Sequence, residues 1–424
     1  MKTRIVPALV AAGAVSLIVY YLVTWIAVSP VDQRGSDFSV FYVGALVIRD
    51  GQASHLYDQR LESQVHRTLL PPDVTLQHLP FATPPTTAIL ALPFSFADPQ
   101  TAYRLWSVLQ MALLTLAVFI AIRAGPWPSQ LPRWPKAAVA LAAMAGVGSL
   151  SFVLLGQLDG FSALGLAAAY ASWRGGHRTR AAFWLALLGA IAKPHLALGL
   201  AVWIAARRRR EEMVGAASGL GAALVVSIAV TGFGGVAGFV SALGTDLGQT
   251  PAASTLGAAG LVASWLGSGW AATPITLALS AAALAACAVL GDRSRAPGSS
   301  IEISLGAATA LSLLASPHTL PHDLVLLAPA FAWAMACAAA RDAGKPWPGR
   351  VGGRLLGGWG LLNLCVLLDT GTSSAAPPGR VTPWALAAIG AYALRGAQRA
   401  GPARVRLPLA LQAGSGSGDG GSVE

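Results

Sequence analysis

Residues 181–206 read A-A-F-W-L-A-L-L-G-A-I-A-K-P-H-L-A-L-G-L-A-V-W-I-A-A, an apolar run divided by Lys193-Pro194-His195. Arg174, Arg178 and Arg180 precede it, and Arg207, Arg208, Arg209 and Arg210 follow. Basic residues beside a membrane segment mark its cytoplasmic end, so both flanks ask for the same side. A single spanning helix satisfies only one of them. Each half, 181–192 and 196–206, is only ~18 Å long as a helix against ~30 Å of hydrocarbon. A re-entrant hairpin of two half-helices satisfies both flanks and sets Lys193 at its tip in a polar cavity. Lys193 is the one basic residue well inside an apolar run, and an intramembrane cation is a functional candidate by default, with a phosphate as partner. Snorkelling is its plain structural alternative.

Composition agrees with a membrane body. Of 424 residues 54% are hydrophobic and only 11% charged, far below the ~25% of soluble proteins. Repeated apolar runs of near-spanning length make the chain an all-α polytopic membrane protein, since lipid demands internally satisfied backbone and no alternating strand pattern is present. The net charge of +11 lies in short basic runs between apolar segments. That is the positive-inside pattern, so the charge reports topology and no nucleic-acid partner is expected. Cys287, Cys337 and Cys365 sit in apolar runs without pairing or metal spacing and read as packing residues.

Lys2 and Arg4 put the N-terminus in the cytoplasm, and residues 5–28 cross as a retained first helix without a small-residue cleavage site. Residues 29–80 then form the first extracytoplasmic loop, where Asp32, Asp37, Asp50, Asp58, Glu62 and Asp73 gather. Phe38, Phe41, Tyr42, Ala45 and Ile48 recur there at helical spacing, as in an interfacial helix. Residues 84–97, with Pro84, Pro85 and Pro93, read as interfacial or re-entrant. Further spans are expected at 101–122, 137–155, 159–173, 213–231, 273–290, 301–316, 324–340, 351–368 and 381–394, with 232–272 an outer loop. The result is about ten full spans plus one half-helix hairpin, most basic residues inside, and both termini cytoplasmic. Residues 1–412 make one integral membrane domain, and 413–424 a disordered Gly/Ser-rich tail.

This topology brings Asp37, Gln157, Asp159, His318, His322 and Asp323 to one outer surface, with Lys193 beneath. One carboxylate as base beside cationic or imidazole groups suits transfer from a phosphate-linked donor. Asp37 is a base candidate or the N-cap of the Phe38–Ile48 helix, with Asp32, Asp50 and Asp58 as competitors. His195 either joins Lys193 or packs. His318 and His322 have the spacing of a helical metal pair, but Pro317 and Pro321 disfavour a regular helix and no third ligand is evident. Phosphate binding or proton transfer suits them better than a metal. Gln157 and Asp159 fit a tight polar turn equally well.

Several short motifs, in order, resemble glycosyltransferase family 87 of the GT-C superfamily. They are Asp37-Phe38-x-x-Phe41-Tyr42, Gly51, Tyr57-Asp58, Thr83-Pro84-Pro85 with Leu92-Pro93, Gly156-Gln157, Lys193-Pro194, and Ser316-Pro317-His318…His322-Asp323-Leu324. Thr83 stands where the family usually has an aromatic residue, and Leu158-Asp159 where it often has Asn. The resemblance implies a GT-C fold in a bacterial inner or plasma membrane, with the site facing the periplasm or exterior. It implies inverting transfer of a hexose, mannose foremost, from a polyprenyl-phosphate donor to a glycolipid or glycan, without a cofactor or obligatory metal. Asp37 matches the family's general base. Lys193, His195, His318, His322 and Gln157 would contact donor phosphate or sugar, with Asp58, Asp159 and Asp323 in acceptor-binding or structural roles. A transporter or lipid-linked-sugar flippase is the principal alternative, and a non-catalytic membrane scaffold the other.

Overall fold

A computed structural model describes residues 2–70, 79–249, 251–267, 269–371 and 380–399. Asp73 and the 413–424 tail lie outside the described residues. The described chain is helical, with no strand. Six of its helices are long and apolar enough to cross a membrane, or seven if Arg133–Met144 and Val147–Leu155, bent by 55°, make one broken span.

That number is lower than the sequence suggests because helices stop short where they meet the polar cluster. Asp159–Arg174 and Ile301–Ala315 start or end at it and fall short of spanning length, whereas Pro321–Arg341, which opens with the 3-10 turn Pro321–Leu326, is one of the six. A second difference concerns 232–272, expected as an outer loop. The helix Arg210–Gln249 continues through a kink at Gly232 (φ 70°), and only then come a short turn and the helix Ala258–Leu266. Its 35-residue apolar part, Arg210–Gly244, carries about 52 Å of helix, more than a bilayer core needs. The surplus packs on the first loop, with Phe239 against Tyr57 (ring centroids 6.3 Å apart) and Gly238 beneath the same ring.

The quoted stretch forms two arms, Arg178–Ala192 and Leu198–Arg207, joined by the turn Pro194–Ala197. Lys193 breaks the helix at φ −138°, ψ 83°, outside the helical region that a following proline disfavours. Both arms begin and end together. Arg207 closes the second arm with a bidentate pair to Glu212 (2.7 and 2.8 Å), and Trp173, one helix earlier, donates Nε1–H to the same carboxylate (3.1 Å). Small residues let the next helix follow the first arm closely. A Cβ on Gly215 would stand 2.1 Å from the Thr179 carbonyl oxygen, and one on Gly219 2.6 Å from that of Phe183.

Two apolar cores result. The larger runs through the helical body around Tyr170, Trp203 and Trp333. The smaller joins the first loop to the hairpin tip through Phe38, Phe41, Phe81, Tyr103, Trp106, Leu158 and Ala192. The polar cluster lies where these cores meet.

Candidate active site

Asp37 opens the helix Asp37–Arg49, with Ser36 at the cap position. Ser36 makes no side-chain cap bond, its hydroxyl donating to the Gln33 carbonyl, and Asp37, the first helical residue, accepts a hydrogen bond from Gln157 Nε2 through its carboxylate. Gly156 makes this meeting geometrically feasible. It ends Val147–Leu155 in the left-handed region (φ 64°), and a Cβ there would lie 2.8 Å from that of Phe38. Trp106 Nε1–H bonds the Gly156 carbonyl (2.8 Å) and Tyr103 Oη–H that of Leu154 (2.7 Å), pinning the turn under the Asp37 helix.

Beneath this turn Lys193 Nζ lies 2.6 Å from Asp323 Oδ1 and 3.2 Å from Asp159 Oδ2. All three side chains are buried. Asp323 Oδ2 accepts the Leu320 N–H (2.7 Å), and His322 Nε2 is 3.4 Å from Asp323 Oδ1. Asp159, His322 and Asp323 hold ligand atoms within 4.8 Å of one another, as a cation site would. The Lys193 ammonium already stands against both carboxylates. Asp159 Oδ1 and His322 Nδ1 are buried without a hydrogen-bond partner, so this floor is charged, sealed and incompletely bonded.

Above the floor the site opens. Asp37, His195 and His318 are each partly exposed, and the two imidazole rings are 6.2 Å apart. Burial raises the Asp37 pKa above the ordinary carboxylate range. The Lys193 charge and the Gln157 hydrogen bond oppose that rise, as does His318, while Asp323 adds to it.

The fold therefore assembles Asp37, Gln157, Asp159, Lys193, His195, His318, His322 and Asp323 in two tiers. Lys193 and His322, expected on a donor, belong to the lower tier, and Gln157 is turned onto Asp37. Asp58 is exposed and accepts the Arg60 and Leu61 N–H groups as N-cap of Gln59–Leu69. Sequence reading passed over Thr86 and Thr87, whose hydroxyls donate to the Ile191 carbonyl (3.4 and 3.0 Å) at the hairpin tip. The signal was the Lys193-Pro194 break, which orphans the last carbonyls of the arm. Tyr57 Oη–H bonds the Thr83 carbonyl (2.8 Å) and anchors the segment carrying those threonines.

A helical membrane protein with a partly exposed carboxylate over a buried charged floor has the makings of a membrane transferase. The chain belongs to glycosyltransferase family 87, whose profile matches residues 81–317, more than half of it. It is a membrane glycosyltransferase. No curated protein and no solved structure matches the chain. Asp37, His318, His322 and Asp323 lie outside the matched residues and join the others through the fold.

Proposed function

We propose that the protein transfers a hexose, mannose foremost, from a polyprenyl-phosphate carrier to a glycolipid or glycan acceptor, with inversion and Asp37 as general base. The observation that carries this reading is the upper tier: a partly exposed carboxylate held by Gln157 stands with the partly exposed His195 and His318, whose rings are 6.2 Å apart. In the reaction Asp37 takes the acceptor hydroxyl proton as the hydroxyl oxygen attacks the anomeric carbon. The carbon–oxygen bond to the carrier phosphate breaks on the opposite face, and the phosphate leaves with both electrons. His195 and His318 stabilise the charge that builds on it.

The lipid tail has a path from this point. A cavity of about 310 Å³ runs from Pro317 and His318 along Ala259, Ala263, Thr276 and Leu277, and Leu277 and the neighbouring Trp270 are strongly exposed. The Asp37 end is extracytoplasmic in this reading. Arg174, Arg178, Arg207 and Arg293 lie at helix ends on the other side, which supports it. The hairpin 181–206 is then re-entrant, entering and leaving at the cytoplasmic surface, and both termini are cytoplasmic.

The test uses purified protein in lipid, a radiolabelled polyprenyl-phosphate mannose and extracted envelope glycolipids. Label should reach an acceptor with wild type and not with Asp37→Asn. Equal turnover by the variant would remove Asp37 as base. Label crossing liposomes without a glycosylated product would replace transfer by transport.

A further inference from the structure

Lys193 is the residue that sequence reasoning gives to the donor phosphate, and its surroundings argue otherwise. Its ammonium has two carboxylates in contact, Asp323 at 2.6 Å and Asp159 at 3.2 Å. This floor therefore sets one ammonium against two carboxylates, with the His322 imidazole beside them. A phosphate brought to Nζ would also meet both carboxylates, at high cost in a water-poor site. Lys193 is moreover only 8% exposed, whereas His195 and His318 reach the opening.

The same geometry gives Lys193 another role. The groups that face Asp37 are the Gln157 amide, the Lys193 ammonium, the His318 imidazole and the Asp323 carboxylate. Gln157 comes from the turn after Val147–Leu155, Lys193 from the hairpin tip, and the other two from residues 316–326. Lys193 is the permanent positive charge among them. Its two ion pairs also tie the hairpin tip to the start of Asp159–Arg174 and to the turn Pro321–Leu326.

We propose that Lys193 is a positioning residue for the base: clamped between Asp159 and Asp323, it fixes the floor under Asp37 and supplies the positive field around it, and it does not hold the donor phosphate. The proposal rests on Asp37 being the base. Without Lys193 the Asp37 carboxylate should keep its proton to higher pH, while the donor should bind nearly as before. An ammonium that gripped the phosphate would give the opposite pattern.

The experiment compares full-length wild type, Lys193→Met and Lys193→Arg in lipid nanodiscs with labelled polyprenyl-phosphate mannose. Lys193→Met should lower kcat and move the acid limb of the rate upward by about one pH unit or more. Its donor KM should stay within about threefold, and Lys193→Arg should recover part of kcat. A second readout needs no turnover: a hydrophobic carbodiimide modifies protonated carboxyls, and peptide mass spectrometry follows its addition to Asp37. That labelling should persist to higher pH in Lys193→Met. If this variant does not fold, Lys193→Met with Asp159→Asn relieves the unpaired buried carboxylate, and since Asp159 is not among the groups facing Asp37 the labelling should shift in the same direction. A donor KM raised about tenfold or more with an unmoved pH profile and unmoved labelling would overturn the proposal. Turnover by Asp37→Asn would remove the base reading instead, and the labelling at Asp37 would still report whether Lys193 acts on it.

Discussion

The hairpin of residues 178–207 buries an ion pair at each end, and the two are finished differently. At the Arg207 end the guanidinium spends Nε and Nη2 on both Glu212 oxygens and Nη1 on Ser294 Oγ (2.6 Å). It lies over the Trp203 ring at 4.6 Å and the Trp173 ring at 5.8 Å. No buried polar atom of Arg207, Glu212, Ser294 or the two tryptophans is without a partner among the described residues. At the Lys193 end a single ammonium serves two carboxylates, Asp159 Oδ1 and His322 Nδ1 have none, and three titratable side chains open to the surroundings. Full satisfaction makes a rivet, whereas the sealed floor at the Lys193 end stays incompletely bonded beneath side chains that are partly exposed.

The largest expected effect falls on the open end. Asp37→Asn should lower kcat by about 10²–10⁴-fold, the range for a general base, with no loss in thermal unfolding temperature; initial rates and melting curves check both halves. The closed end should respond in reverse. Arg207→Met leaves Glu212 buried and unpaired, at about 3–5 kcal/mol, so folded yield should drop while turnover per folded molecule holds. Adding Glu212→Leu should restore most of that stability, as for buried pairs replaced together by apolar groups. A double variant as unstable as the single one would show that the pair itself is required.

Gln157→Leu sharpens the contrast at smaller scale. It removes one hydrogen bond to a charged group and should reduce kcat about ten- to a hundredfold, with donor KM nearly unchanged. The pH profile gives the mildest test. Burial raises the Asp37 pKa, so ionised base is lost as pH falls through a value above the ordinary ~3.9 of aspartate. The acid limb of kcat/KM against pH should lie above that value in wild type. An acid limb at or below it would mean that Asp37 is better solvated than its partners imply.

How far these features were legible in the chain varies with their range. The Lys193-Pro194 break, the basic flanks and the Pro84-Pro85 punctuation are local, and each announces a helix end. The order of polar motifs pointed to a family, and that family's profile matches over 81–317. Partners were another matter. Gln157 and Asp37 are 120 positions apart, and Lys193 and Asp323 are 130. Nothing in their local sequence says that Gln157 serves the carboxylate or that two acids have claimed the lysine.

The sequence alone determined the helical membrane class, the family, and the helix break at Lys193-Pro194 between two apolar arms. Hydrophobic periodicity, proline and basic flanks act over one or two helical turns, so a linear reading captures them. Only the tertiary structure decided which cation faces which carboxylate, which imidazoles reach the opening, and that the helix from Arg210 runs on past Gly232 to cover Tyr57. Those outcomes depend on helix–helix distances set by contacts such as Gly215 on Thr179. Charge interactions change steeply over such distances, and no local pattern in the chain encodes them.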